Sequence, residues 1–427
     1  MAAPRETAFT METSSITFGR GATAEVGENM RSLGANRVMV VTDPNVARLP
    51  AVSIAVESLR EAGIDPVIYE RVRVEPTDLS FSDAIDFAIN GQFDGYVAVG
   101  GGSSIDTAKA ANLYATYPAE LLAYVNPPIG EGRQVPGPVR PLIAIPTTAG
   151  TGSETTGTTI FDMVSIHTKT GIAHRALRPT LGIVDPDNTR SLPPMVAACS
   201  GFDVLSHALE SYTALPFGRR PAPDHPGLRP PYQGSNPISD IWAERALRLA
   251  GHNVVRATTE PDDAAAREAM MLAATLAGIG FGNAGVHLPH AMSYPVAGRV
   301  RDFTPDGYAS DHPLVPHGMA VILTAPAVFR FTAPSNPDRH LRAARWIGAD
   351  TEEAAIEDAG EILAGRIIEL MKATGMPSGL AAVGYGVDDV DALVAGTLPQ
   401  QRLTKLSPTR ADPTAFRALF VESMNLW

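Results

Sequence analysis

The run Asp203-Val-Leu-Ser-His207 lies in a stretch with helical spacing. A separation of four residues puts the carboxylate and the imidazole on one helix face. A helix can offer two metal ligands in this way, and a plain hydrogen-bonded pair uses the same spacing. Further histidines follow in Val286-His-Leu-Pro-His290 and in Val315-Pro-His-Gly318. One aspartate and three histidines make an all-nitrogen-and-oxygen set suited to Fe²⁺ or Zn²⁺. Cys199 is the single cysteine beside ten histidines. An internal disulfide framework and a cysteine metal cluster are therefore excluded.

A second chemistry sits earlier in the chain. Val97-Ala-Val-Gly-Gly-Gly-Ser-Ser-Ile-Asp106 places three glycines after a strand pattern and before a helical one. Glycine lets backbone N–H groups approach a phosphate, and the helix N-terminus adds partial positive charge. The turn reads as a dinucleotide pyrophosphate site, or as a tight turn that merely needs glycine. Pro146-Thr-Thr-Ala-Gly-Thr-Gly-Ser-Glu154 is a second strand-end loop rich in hydroxyls and short on bulk. Two such loops favour a shared phosphate or nicotinamide cleft. In the usual dinucleotide fingerprint the ribose-binding acid follows the glycines by about twenty residues. Here the acidic candidate, Asp43, precedes them, so it is either a strand-end cap or the mark of a variant order.

The elements that must hold these residues divide the chain in two. Strand patterns at Val38–Asp43, Val67–Tyr69, Tyr96–Val99, Leu142–Ile145 and Gly182–Val184 alternate with helical patterns over 51–62 and 80–90. Continuous apolar strands separated by helices imply a parallel sheet covered on both faces. After about Leu192 the strand patterns stop. Helical patterns follow over 195–213, 238–258, 262–278, 318–331 and 352–374, with Pro193-Pro194 as the seam. The expectation is an α/β nucleotide-binding domain, a Rossmann-like variant, over 1–192 and an all-α domain over 193–427. The segment 216–237, with seven prolines and three glycines, reads as an ordered surface loop rather than a linker.

Composition narrows the partners. The 427 residues carry 34 basic and 46 acidic side chains, a formal net charge of −12. That balance argues against a broad nucleic-acid-binding face. Residues 269–298 contain no formal charge, yet Asn283, His287, Pro289 and His290 interrupt them, along with Gly278, Gly280, Gly282 and Gly285. Such residues suit a buried core segment better than lipid. Met1-Ala-Ala-Pro-Arg-Glu6 shows no apolar signal core. A cytoplasmic protein without membrane association is expected.

These strings together resemble the iron-containing (group III) alcohol dehydrogenases over essentially the whole chain. The glycine turn, the Thr/Gly loop and Gly201-Phe-Asp-Val-Leu-Ser-His-Ala-Leu-Glu210 carry the likeness. The hydroxyacid-oxoacid transhydrogenase subgroup is similar in four further strings, Val72–Asp78, Tyr232–Trp242, Gly280–Pro295 and Asp311–Gly318. The resemblance implies the dehydroquinate synthase-like fold and metal ligands Asp203, His207, His290 and His317. It implies a pyrophosphate contact from Gly100, Gly101, Gly102 and Ser103, with Asp106 and Lys109 completing that motif. Thr147, Thr148, Thr151 and Ser153 would line the phosphate–nicotinamide passage, and Asp43 would face the adenosine ribose and favour NAD. Family members often carry a second histidine where this chain has Tyr294, so His287 or Tyr294 is the expected catalytic proton relay. A tightly bound NAD, one divalent metal with Fe²⁺ ahead of Zn²⁺, and a homo-oligomer follow from the same likeness.

The implied reaction converts 4-hydroxybutyrate and 2-oxoglutarate to succinic semialdehyde and 2-hydroxyglutarate. A dehydrogenase exchanging free NAD is the alternative, and a non-catalytic nucleotide-binding protein a second one. Because hydroxyacid and oxoacid are both anions, a cation is expected near the metal. Lys169, His174, Arg175, Arg299 and Arg301 are the candidates.

Overall fold

A computed structural model describes residues 4–166, 168–310 and 312–427. Asp311, which opens one of the quoted strings, lies outside them. The chain divides into two compact units, Thr13–Leu192 and Pro193–Trp427, the latter joined by the residues before Thr13. Division at 192 alone would leave residues 4–12 with the α/β unit. They pack instead on the helical unit, through paired side-chain clasps. Gln233 accepts from the Thr10 N–H and donates to its carbonyl, and Asn283 does the same for Glu12. Arg229 binds the Glu6 carboxylate.

Among its described residues the α/β unit has eight strands: β1 Ser15–Phe18, β2 Arg37–Val41, β3 Asp65–Tyr69, β4 Gly95–Gly100, β5 Leu142–Pro146, β6 Thr158–Met163, β7 Thr168–Ala173 and β8 Leu181–Val184. Six form one sheet in the order β1-β8-β5-β4-β2-β3, and every pairing in it is parallel. Side chains alternate across the pleat, so each strand feeds two cores. Val38, Val40, Val97, Val99, Ile143 and Ile145 pack under the Pro50–Glu61 helix. Met39, Val41, Tyr96, Ala98, Leu142 and Ala144 pack on the other face, with Ala84 and Ala88 of the Asp78–Gly91 helix and Ile105, Ala108 and Ala111 of Gly102–Thr116. β4, buried at all six positions, lies between β2 and β5. The strand ends that carry Asp43, the glycine turn and the Thr/Gly loop are thus adjacent. The antiparallel pair β6–β7 is an addition that the sequence pattern did not announce.

In the helical unit the central element is Pro194–Thr213, buried at nearly every position from Ala198 to Thr213. Helices Pro237–Thr259, Ala264–Ala284 and His317–Ile322 pack around it. Ala264–Ala284 is long and apolar enough to cross a membrane, and most of it is buried among these neighbours. The helical pattern over 318–331 becomes two helices, His317–Ile322 and Ala325–Thr332. Pro326 explains the break, because it has no N–H to continue the ladder. The 216–237 segment holds short turns at Phe217–Arg219 and Pro226–Leu228, and Arg220 donates to the Tyr232 carbonyl across it.

Candidate metal centre and nucleotide loops

Asp203 and His207 come from adjacent turns of Pro194–Thr213, His290 from Leu288–Gly298 and His317 from the first residue of His317–Ile322. A close approach seats the last of these. A Cβ on Gly318 would lie 2.0 Å from the Cys199 carbonyl oxygen and 2.9 Å from the Asp203 Cβ. Only glycine lets the two helices meet there, and the contact brings His317 against Asp203. Cys199 itself is a small buried core residue.

The result is a cluster whose four ligand atoms all lie within 4.8 Å of one another. The Nε2 atoms of His207, His290 and His317 stand 3.6, 3.7 and 3.7 Å from Asp203 Oδ1. Those separations are too long for hydrogen bonds. They match two donors that share an ion about 2.0–2.2 Å from each, which can stand up to roughly 4.2 Å apart. Asp203 Oδ1 and His290 Nε2 are buried and have no hydrogen-bond partner among the described residues. Buried polar atoms are rarely left so. A divalent cation fits this set. The His317 side chain, 26 % exposed, leaves the cluster open on one side.

Electrostatics point the same way. Burial would raise the Asp203 carboxyl, but the imidazoles of His207, His317 and His290 hold it well below the usual range. Burial drives His207 down to about 3, against the pull of Asp203. Burial also opposes charge on His290, yet Glu210 and Asp203 bring it up to about 9. The site draws positive charge onto His290, and a bound cation would take the place of that proton.

Glu210 is a functional residue that the motif reading did not single out. It is fully buried, and its Oε1 faces His290 Nδ1 in a short hydrogen bond. Its Oε2 accepts from the His287 N–H at 2.6 Å and the His290 N–H at 3.4 Å. A carboxylate on Nδ1 fixes the tautomer that leaves Nε2 free to ligate. The signal was present: Asp203, His207 and Glu210 stand at i, i+4 and i+7, one stripe of one helix.

The two expected proton-relay residues lie outside the four-residue cluster. His287 caps the Leu288–Gly298 helix, and its Nε2 lies 3.0 Å from Thr213 Oγ1. Burial pushes this imidazole down to about 4, so it stays neutral near pH 7. Tyr294 is buried one turn beyond His290, in an apolar cluster with Tyr232, Phe281, Leu403 and Leu406. Of the candidate cations, Lys169 is buried between Glu75 and Asp162, and Arg301 pairs with Asp389 on the surface. His174 caps a turn by accepting from the Ala176 N–H, and Arg175 lies in that turn. Arg299 ends the Leu288–Gly298 helix.

In the α/β unit the two glycine-bearing loops meet. A Cβ on Gly101 would stand 3.3 Å from the Thr148 side chain, and one on Gly102 would stand 2.5 Å from Thr151 Cγ2. Thr147 donates its N–H to the Gly100 carbonyl. Gly102 opens the Gly102–Thr116 helix, whose first N–H groups provide the anion-binding end. Ser103 Oγ accepts from the Glu75 N–H. Asp106 binds the loops together, accepting from Ser153 Oγ at 2.6 Å and from the Ile160 N–H at 2.9 Å. Lys109, fully buried, donates to Ser153 Oγ and to the Thr158 carbonyl, and burial lowers it to about 8. Asp43 Oδ1 accepts from the N–H groups of Asn45 and Val46. Its other oxygen faces Gly100 across the β2–β4 pair.

A family model described as iron-containing alcohol dehydrogenase matches residues 13–186, and one for the C-terminal region of Fe-containing alcohol dehydrogenases matches residues 232–424. The chain belongs to the iron-containing alcohol dehydrogenase family. It is an oxidoreductase acting on CH–OH groups, and the family implies NAD and a divalent metal. A mitochondrial hydroxyacid-oxoacid transhydrogenase of Xenopus tropicalis is 55 % identical over 424 residues, covering 99 % of this chain and 92 % of that protein. The Homo sapiens protein of the same name is 54 % identical over 422 residues, covering 98 % and 90 %. Both names say mitochondrial, which the cytoplasmic reading of this chain's residues does not share. Among solved structures, 1,3-propanediol oxidoreductase aligns with a TM-score of 0.85 at 27 % identity, over 98 % of this chain and all of the other. Alcohol dehydrogenase from Oenococcus oeni gives 0.84 at 25 %, over 97 % and 100 %. The parallel-sheet unit followed by a helical region is the architecture of this family.

Proposed function

We propose that this chain is an NAD- and metal-dependent transhydrogenase that moves hydride from a hydroxyacid to an oxoacid, with 4-hydroxybutyrate and 2-oxoglutarate as the pair. The observation that carries the reading is the convergence of Asp203, His207, His290 and His317, with Asp203 Oδ1 and His290 Nε2 buried and without a hydrogen-bond partner among the described residues. The likeness to the transhydrogenases over nearly the full chain supports the specific reaction.

Asp203, His207, His290 and His317 would hold the metal, with Fe²⁺ proposed ahead of Zn²⁺ from the family. When bound, it supplies Lewis-acid stabilisation of negative charge on the substrate oxygen. The chain's own residues prepare that chemistry. Glu210 keeps the proton on His290 Nδ1, so the donor set is one carboxylate and three neutral imidazoles, a net positive site once loaded. His207 is held flat against Phe281, ring centroids 3.9 Å apart, which fixes its Nε2. Gly100, Gly101, Gly102 and Ser103 would cradle the pyrophosphate, with Thr147, Thr148, Thr151 and Ser153 beside it. Asp106 and Lys109 hold the loops in place. A buried carboxylate at Asp43 accepts from a ribose 2′-hydroxyl and repels a 2′-phosphate, which favours NAD over NADP.

The overall conversion balances without an outside oxidant. The hydroxyacid carbon gives up hydride and its hydroxyl a proton, and the oxoacid carbonyl receives both. Purified protein mixed with 4-hydroxybutyrate and 2-oxoglutarate, with no NAD added, is expected to form 2-hydroxyglutarate. Turnover that appears only with stoichiometric soluble NAD would instead assign a dehydrogenase exchanging free cofactor. A His207→Ala protein that keeps its metal and full activity would remove the cluster from the mechanism.

A further inference from the structure

We propose that Arg402 is the residue that binds the carboxylate of both substrates, and that it binds the one three carbons away from the reacting carbon. The proposal rests on the transhydrogenase reading above and gives it a substrate anchor.

Partly buried arginines in this unit pair with carboxylates and carbonyls. Arg339, for example, binds Asp240 and the Tyr212 carbonyl. Arg402 meets two phenols, Tyr232 and Tyr294, in place of a carboxylate. The residue sits on the short Gln401–Thr404 helix, partly accessible, with its Nη1 buried and without a hydrogen-bond partner among the described residues. No described carboxylate forms an ion pair with it. Its neighbours are aromatic: the guanidinium carbon stands 4.8 Å from the centre of the Tyr232 ring. Burial alone would lower this guanidinium, but the phenols of Tyr232 and Tyr294 outweigh that and hold it charged. A charged planar fork with a free donor, walled by aromatic rings, is a receptor for a carboxylate.

Neighbouring side chains connect Arg402 with the cluster. Tyr294 follows His290 by four residues on one helix, hence on the same face and about 6 Å along the axis. On a second path, Tyr232 neighbours Phe281 at 6.4 Å between ring centres, and Phe281 stacks on His207. Aromatic side chains thus link Arg402 to the cluster, Tyr294 on one path and Tyr232 with Phe281 on the other. In extended 4-hydroxybutyrate, four bonds of about 1.5 Å put the carboxyl carbon roughly 5 Å from the hydroxyl oxygen.

The same geometry accounts for the pairing of two different acids. 2-Hydroxyglutarate is 4-hydroxybutyrate with one extra carboxylate on the carbinol carbon. Its far carboxylate therefore stands at the same distance from the reacting oxygen. One anchor serves the hydroxyacid in the first half-reaction and the oxoacid in the second, with the reacting carbon in one place both times.

The test compares wild-type protein with Arg402→Met and Arg402→Lys, each checked for metal content and circular dichroism. Removing a charge-assisted anchor is expected to raise KM about 100-fold for 4-hydroxybutyrate and for 2-oxoglutarate alike, with kcat within threefold. Arg402→Lys keeps the charge but loses the fork, and an intermediate rise of about 10-fold is expected. Calorimetry with glutarate, which is not turned over, should show binding to the wild type and none to Arg402→Met. Unchanged glutarate binding in the variants, or a loss confined to kcat, would overturn the assignment. If Arg402→Met does not fold, Arg402→Lys and the glutarate titration decide it. Wild-type protein that binds glutarate through Arg402 but leaves the two acids unconverted would refute the reaction and not the anchor.

Discussion

Replacing Glu210 by glutamine removes one charge and nothing of the side chain's size. The carboxylate engages three N–H groups at once: the His290 ring Nδ1 and the main-chain N–H groups of His287 and His290. An amide has one acceptor and one donor end. If its oxygen turns to the two main-chain donors, its NH₂ faces Nδ1 and forces that nitrogen to accept. The ring proton then moves to Nε2, the atom that must ligate. If the amide is reversed, its NH₂ meets two N–H donors instead. Either way a charge-assisted hydrogen bond worth about 1.5–3 kcal/mol is lost. At about 1.4 kcal/mol per tenfold, metal affinity should fall roughly 10- to 150-fold, close to the roughly 10- to 100-fold known for such outer partners. The assay is a titration of Fe²⁺ or Zn²⁺ into Glu210→Gln and wild-type protein against a competing chelator, with the fold checked by circular dichroism. Affinities within threefold of each other in two folded proteins would refute the argument that Glu210 sets the His290 tautomer.

Three other outcomes follow from particular contacts. Gly318→Ala puts a methyl 2.0 Å from the Cys199 carbonyl, so the two helices must separate, at a cost of about 1–3 kcal/mol; thermal melting and metal analysis should show lower stability and loss of the ion. Asp43→Ser keeps an acceptor for the Asn45 and Val46 N–H groups but removes the charge, so calorimetry with NAD and NADP should show the preference for NAD falling about tenfold or more. His340 is fully buried between Thr332 Oγ1 and the Asn336 carbonyl, and burial pushes it down to about 4. The unfolded chain takes up this proton near pH 6.5 and the folded one near 4. Its stabilisation is therefore complete above pH 6.5 and lost by about 3 kcal/mol as pH falls to 4; urea unfolding across that window should be flatter in His340→Gln.

The five strand patterns read from the sequence all became strands of the main sheet, because buried parallel strands are written as unbroken apolar runs such as Val38–Val41. Those that went unread lack that mark. β1 has only four residues and lies at the sheet edge, and β6 and β7 carry Thr, Asp and Lys, whose apolar neighbours do not alternate. The helical pattern over 352–374 begins only at Ala359, after a 3₁₀ turn at Ile356–Asp358. Asp203 and His207 were legible because a helix repeats them on one face, and the same rule would have reached Glu210. Arg402 was not legible. It lies 85 residues beyond His317 on a four-residue helix, and only tertiary packing sets it against Tyr232 and Tyr294. Residues 4–12 likewise show no pattern of their own, since their backbone is held by Gln233 and Asn283 far along the chain.

The central claim is that hydride passes from hydroxyacid to oxoacid without leaving the protein. 4-Hydroxybutyrate carrying deuterium at C4, mixed with 2-oxoglutarate, the enzyme and an excess of unlabelled soluble NADH, tests it directly by mass spectrometry of the products. The account predicts 2-hydroxyglutarate with deuterium at C2 in nearly every molecule and an unlabelled soluble nucleotide pool. Deuterium appearing in soluble NADH, with 2-hydroxyglutarate diluted to the pool's isotopic composition, would contradict it.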